Sequence, residues 1–140
     1  MIEALKIIHF LSVAVGVGGG FANLFLSYWA RSQSIEFKTS LGALQGRLAR
    51  AGFWAIVVLW LTGYALVQTN EGGFADMGLL FWLKILLVVA LSILSAGMQL
   101  IALGLLPASL VAAPQRRLSV AKIGSGLAAG IIVLAVLAFI

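Results

Sequence analysis

The chain has 140 residues, of which 63% are hydrophobic and only 9% are charged, and its formal net charge is +5. Soluble domains carry about a quarter charged residues, and a chain this short cannot bury so much apolar surface inside itself. Cysteine is absent, which excludes disulfides, thiolate metal sites and iron–sulfur clusters. The composition therefore predicts a membrane protein, and the basic residues that flank the apolar runs predict contact with lipid headgroups and no nucleic acid.

Four apolar runs are long enough to cross a hydrocarbon core, at about residues 3–29, 47–68, 79–106 and 118–140. Backbone groups in lipid must bond within their own segment, so the runs predict helices. The expected fold is an all-α integral membrane protein, a four-transmembrane-helix bundle in a single domain over residues 1–140. The first run opens with Met1-Ile2-Glu3 and is too long for a cleaved signal peptide, so we expect a retained span.

The charges of the connecting loops predict an orientation. The loop between spans two and three holds Glu71 and Asp76 and no basic residue. The segments around the other two loops carry Arg31, Lys38, Arg47, Arg50, Arg116, Arg117 and Lys122. Because basic loops stay in the cytoplasm, we expect both termini on the extracytoplasmic side of a bacterial-type inner membrane.

Spans one and three each carry a polar stripe at helical period. Polar groups inside a membrane are costly, so each is a candidate for function. The stripe of span one holds His9, Ser12, Gly16, Gly19, Gly20, Asn23 and Ser27, and that of span three holds Lys84, Ser92, Ser95 and Gln99. We expect the two stripes to face each other or to face one cavity.

Depth along the spans predicts two polar layers about 20 Å apart, at a rise of roughly 1.5 Å per residue. The outer layer is expected to hold His9, Lys84, Tyr64 and Lys6, and the inner layer Asn23, Ser27, Ser95, Gln99 and Arg50. Simpler alternatives stay open. Lysines can extend to the headgroups, His9 can be an interfacial histidine with one hydrogen bond, and Asn23 and Gln99 can only link helices.

Several short motifs occur in an order that is similar to a known family. They are Lys6-Ile-Ile-His9, Gly19-Gly20, Arg47-Leu48, Gly63 and Trp82-Leu-Lys84, across roughly the first two-thirds of the chain. The pattern resembles the HemJ-type protoporphyrinogen oxidases and, more distantly, the CopD-like four-helix membrane domains. This resemblance implies heme b and oxidation of a porphyrinogen, with roles for His9, Arg47 and Lys84. The family's second histidine-bearing region has no counterpart here.

On this hypothesis Lys84 and Arg47 are the candidate catalytic residues and His9 is the candidate metal ligand. His9, Gly16, Gly19 and Gly20 would bind the cofactor, because the small residues leave room for a flat ring. Met98 lies fourteen residues beyond Lys84, roughly 20 Å from the level of His9, and cannot share its iron. A five-coordinate heme, or one shared across a homodimer, remains open.

Three functions are weighed from these residues. A membrane redox protein would oxidise a porphyrinogen or transfer electrons. A quinone is another ligand, since His9 and Lys84 could hydrogen-bond its carbonyl and His9 could carry a proton. The alternative is a non-catalytic accessory subunit that packs in a larger membrane complex. Whether the chain is an enzyme is left open. Copper transport is disfavoured, because three methionines and one histidine make a poor path of soft ligands.

Overall fold

The computed structural model describes residues 2–69, 78–110 and 114–137, and these residues are helical with no strand among them. The helices are α1 (Ile2–Trp29), α2 (Ile35–Gln68), α3 (Leu79–Ala102) and α4 (Pro114–Leu137). Two short 3-10 turns, Ala30–Ser32 and Ala108–Leu110, follow α1 and α3. All four helices are long and apolar enough to cross a membrane. The all-helical, four-span architecture is thereby confirmed, whereas Glu71 and Asp76 lie outside the described residues.

The four helices pack in a ring in which each contacts its two neighbours. Contact is most extensive between α1 and α2, followed by α3 with α4 and α1 with α4. The contact between α2 and α3 is thinner, and the diagonal pairs α1–α3 and α2–α4 hardly touch. The stripes of α1 and α3 therefore cannot face each other directly, and they meet only through the centre of the bundle.

Small side chains fill the interior and large apolar ones cover the outside. Ala128 is 2% exposed and Ser125 is 4% exposed, whereas Phe25 is 71% and Ile93 is 69% exposed. A soluble protein would bury the large groups. Helices in lipid gain nothing by hiding apolar surface from the tails, and they approach each other most closely through small residues. The distribution is that of a bundle whose solvent is the bilayer.

Helix α2 begins twelve residues earlier than the sequence predicts, at Ile35 and not at Arg47. Its 34 residues make it about 50 Å long, well beyond a hydrocarbon core of about 30 Å. The segment 35–46 is too polar for a span, and for that reason it was expected to be a linker. It is helical because Leu41, 6% exposed, gives the extension an apolar contact with the rest of the bundle.

Helix α3 ends at Ala102, four residues before the predicted end of span three. Gly104 adopts φ of +74°, and its amide donates to the Ile101 carbonyl at 3.0 Å. The Leu105 amide donates to the Leu100 carbonyl at 2.9 Å. This pair of bonds is a Schellman motif, which ends a helix at a left-handed residue that is usually glycine. The apolar run therefore extends beyond the end of α3, and for that reason apolarity alone overestimates the length of the helix.

Helix α4 begins at Pro114, four residues before the predicted start of span four. Proline suits the first turn of a helix, because its missing amide hydrogen would have no partner there and its φ is already helical. The predicted end at residue 140 lies outside the described residues.

Candidate functional site

The single histidine of the chain is held by a hydrogen bond between α1 and α2. His9 Nδ1 lies 2.9 Å from Thr62 Oγ1. The Thr62 hydroxyl donates its proton to the Val58 carbonyl oxygen at 2.7 Å. Since that proton is engaged, we assign the proton of the pair to Nδ1, which donates to the threonine oxygen. This tautomer leaves the lone pair of His9 Nε2 free to bind a metal or to accept a proton.

Gly63 lets α2 approach the imidazole closely. A Cβ atom at this position would lie 3.3 Å from His9 Cε1, which is tighter than an ordinary contact. The ring is therefore packed against backbone on the side of α2, next to the residue that holds Nδ1. Orientation by a second residue in this way is typical of histidines that act as ligands or as proton carriers.

Lys84 contributes a second ionisable group at the level of His9. It lies on α3, diagonal to α1, and is half-buried. Its Nζ lies 5.7 Å from the centroid of the Phe81 ring. The pairing of His9 with Lys84 in the outer layer stays a prediction, because α1 and α3 hardly touch.

Two further residues of the predicted outer layer lie at the surface of the bundle. Lys6 Nζ lies 3.0 Å from Glu3 Oε1, and both side chains are exposed. This exposed ion pair agrees with the alternative in which Lys6 extends to the headgroups, and its place in the outer layer stays a prediction. Tyr64 is 59% exposed on α2.

A central cavity of about 140 Å³ lies between all four helices, in the half of the bundle where α1 and α3 end. Its polar lining comes from Asn23 on α1, Ser95 and Gln99 on α3, and Ser125 on α4. The stripes of spans one and three thus share a cavity in this half of the bundle only, whereas His9 and Lys84 do not line it. Arg50 is exposed and does not line the cavity, and its place in the inner layer stays a prediction.

Ser27 belongs to the same level but is bound into a separate cluster. Its hydroxyl donates to the Asn23 carbonyl oxygen at 2.7 Å. Gln45 Nε2 on α2 donates to Ser27 Oγ at 2.9 Å and to the Asn23 backbone oxygen at 3.3 Å. Gln45 lies in the segment predicted as linker, so its polar role was missed together with the early start of α2.

The residues expected to bind heme are divided between two places. Gly16, Gly19 and Gly20 line the central cavity, and His9 does not. The cavity volume is about 140 Å³, whereas pockets for drug-sized ligands begin at about 300 Å³. A heme bound by His9 and these glycines together stays a prediction. Met98 lines the same cavity and so lies away from His9, as the spacing predicts.

The described residues contain no group of three or more His, Cys, Asp or Glu side chains that could hold a metal ion.

Arg47 lies far from the other two residues that the resemblance groups with it. It is exposed on α2, fifteen residues before Thr62. That separation corresponds to roughly 22 Å along the helix axis. The structure thus brings His9 and Lys84 to one level and Arg47 to another. A shared catalytic role for all three would require a substrate that spans both levels.

Sequence reasoning missed two links between α2 and its neighbours. Thr62, which holds His9, is one. The other is Trp60, whose Nε1 donates to Ser92 Oγ on α3 at 3.0 Å. In the sequence, Thr62 is distinguished only by its place beside Gly63 in an apolar helix. This is weak evidence for a function, because isolated threonines are common in apolar helices.

Comparison of the chain with protein-family models, with curated proteins and with solved structures finds no match. The similarity to the HemJ-type and CopD-like families therefore stays a prediction from a few short motifs.

Proposed function

We propose that this protein binds a lipophilic redox ring of the quinone class at the outer layer and serves membrane electron transfer. The observation that supports this most is the state of His9. Its Nδ1 is fixed by Thr62 at 2.9 Å, so Nε2 is the acceptor nitrogen, and no described residue donates a hydrogen bond to it. A polar group held in this manner inside a membrane span is expensive, and such groups mark functional sites more often than structural ones.

His9 and Lys84 suit both redox states of such a ring. The hydroxyl of a quinol donates a hydrogen bond, which the free Nε2 accepts. The carbonyl of a quinone accepts one, which the Lys84 ammonium donates. The unprotonated Nε2 of His9 pairs only with the quinol, whereas the Lys84 ammonium can donate to an oxygen of either state. A quinone head is a single ring, far smaller than a porphyrin, and its isoprenoid tail is at home against the apolar outside of the helices.

The porphyrin alternative rests on His9 alone, because the glycines expected to accommodate the ring line a smaller, separate cavity. Porphyrinogen oxidation is therefore the weaker proposal. The non-catalytic accessory role also stays a prediction, and no contact among the described residues favours it over a redox role.

Placement in the membrane follows from charge. We place the α1–α2 and α3–α4 connections, with their arginines and lysines, in the cytoplasm of a bacterial-type cell. Both termini and the His9 level then lie toward the extracytoplasmic face, within reach of a quinone pool in that leaflet.

The proposal is tested by titrating the protein, purified in mild detergent, with decylubiquinone while its tryptophan fluorescence is recorded. We expect saturable quenching. His9→Ala and Lys84→Gln should each weaken binding by about ten-fold, the value of roughly one hydrogen bond to a polar or charged group. Lys6→Gln is the matched control, because it removes an exposed lysine of α1. Binding that is unchanged in both site variants would contradict the proposal.

The absorption spectrum of the same sample separates the two rings. A Soret band in the purified protein, or one gained on adding hemin and lost in His9→Ala, would favour a porphyrin over a quinone.

A further inference from the structure

We propose that the central cavity is a hydration site, in which a small cluster of water molecules is bound against Asn23. The side-chain oxygen Oδ1 of Asn23 is fully buried and has no hydrogen-bond partner among the described residues. An unpaired carbonyl oxygen in an apolar medium costs several kcal/mol. Inside a bilayer no lipid tail can pair with it. Asn23 also lines the cavity, so a turn of its amide that presents Oδ1 to a donor there resolves this cost.

Other lining groups provide the remaining bonds that bound water needs. Neither Ser95 nor Gln99 makes a side-chain hydrogen bond to another described residue, although both line the cavity. The Ser125 hydroxyl makes one long bond, to the Gly20 carbonyl oxygen at 3.3 Å. Buried waters typically make about three hydrogen bonds to groups that lack partners. Polar side chains from α1, α3 and α4 converge here, which is the arrangement that such waters require.

Size and charge identify the guest as neutral and small. The cavity volume is about 140 Å³, and a water molecule takes about 30 Å³ in the liquid, so on the order of four waters fit. No charged side chain of the described ranges lines the cavity. A bare cation there would have no carboxylate to offset its loss of hydration.

Missing side chains keep the cavity open. A Cβ atom at Gly20 on α1, or at Gly52 on α2, would meet nothing within 4 Å. Both glycines line the cavity, on adjacent helices. Gly18 is also without neighbours, but it is exposed on the outside of α1 and does not line the cavity. These positions provide a matched pair for a test.

Water bound in the cavity would also shorten the path of a proton to His9. On α1 the lining begins at Gly16, seven residues from His9. At 1.5 Å per residue, water would come within roughly 10 Å of the imidazole level. A proton that enters at the end of the bundle with the basic loops would then have only about two helical turns left to cross before it reaches His9.

Hydroxyl-radical footprinting by X-ray radiolysis tests this directly, because bound waters generate radicals beside the side chains that they touch. Met98 lines the cavity and is readily oxidised, and its oxidation is measured by mass spectrometry. We expect Met98 to be labelled well above Trp54, a reactive side chain that is 64% exposed toward lipid. In Gly20→Val the labelling of Met98 should fall about two-fold, because a valine side chain displaces about two waters.

Gly18→Val should leave Met98 labelling unchanged, since that side chain points out of the bundle. Gly52→Val repeats the test from α2 if Gly20→Val loses helicity or elutes as an aggregate. Met98 labelling no higher than that of Trp54 would overturn the proposal. An equal effect of the Gly18 and Gly20 variants would also overturn it.

Discussion

His9 owes its chemical state to one hydrogen bond across the α1–α2 contact. The imidazole could be singled out from the sequence, because it is the only one and lies in an apolar run. Its partner could not. Thr62 is 53 residues away along the chain, and only the packing of two helices decides which of several hydroxyls meets the ring. The sequence therefore predicts the functional atom but not the residue that orients it.

Replacement of Thr62 tests that orientation. Thr62→Val keeps the shape of the side chain and removes the oxygen that accepts from His9 Nδ1. We expect a loss of about 0.6 kcal/mol in unfolding free energy, the average for interhelical hydrogen bonds in membranes. Quinone binding should weaken by about as much as in His9→Ala. Without the threonine oxygen the ring can rotate and its proton can move to Nε2, which then no longer accepts a hydrogen bond. Thermal unfolding of helicity and the decylubiquinone titration measure the two effects.

Thr62→Ser is the matched control, because it restores the hydroxyl, and its quinone affinity should remain near that of the native protein. Full affinity in Thr62→Val would show that the tautomer of His9 does not matter for binding.

At the scale of the helices, apolarity predicts where membrane spans lie but not where helices begin and end. The long polar start of α2 is set by burial of Leu41, and the early stop of α3 by local backbone geometry. Helix continues through 35–46 although that segment is polar, and it stops at Ala102 although Leu103, Leu105 and Leu106 are apolar. Backbone geometry decided the second case, because Gly104 takes a left-handed conformation that apolar residues avoid.

Substitution of Gly104 tests the stop signal. Its φ of +74° is strained for any residue with a Cβ, so Gly104→Ala should cost about 1 kcal/mol of unfolding free energy. Gly97→Ala is the control in the interior of α3, where a Cβ would meet nothing within 4 Å. It should be neutral or stabilising, because alanine favours helix by up to about 1 kcal/mol over glycine. Thermal unfolding of both variants in the same detergent gives the comparison, and equal melting temperatures would contradict the assigned motif.

At the scale of the whole bundle, spacing along the sequence predicts levels but not neighbours. The distances between His9 and Asn23 and between Lys84 and Gln99 predict two polar layers, and the structure places Asn23 and Gln99 on one cavity that His9 does not line. The choice between direct contact and a shared cavity depended on the order of helices around the ring. That order sets α1 diagonal to α3, so their polar groups meet across a central space. Small residues at Gly16, Gly20 and Gly52 keep that space open, which a sequence pattern alone cannot distinguish from close packing.

The orientation of the bundle decides which layer faces which side of the cell, and single cysteines can establish it because the chain has none of its own. Ser34 lies between α1 and α2, and Gly78 lies just before α3, so the two exposed positions mark opposite ends of the bundle. The basic residues cluster near the end with Ser34, and transfer of such loops across the membrane is disfavoured. In intact spheroplasts a membrane-impermeant maleimide should therefore label Gly78→Cys and spare Ser34→Cys. Lysis should expose Ser34→Cys to the same reagent. The reverse pattern would put the His9 level at the cytoplasmic face and the central cavity toward the outside. A proton that reaches His9 through the cavity would then enter from the extracytoplasmic side.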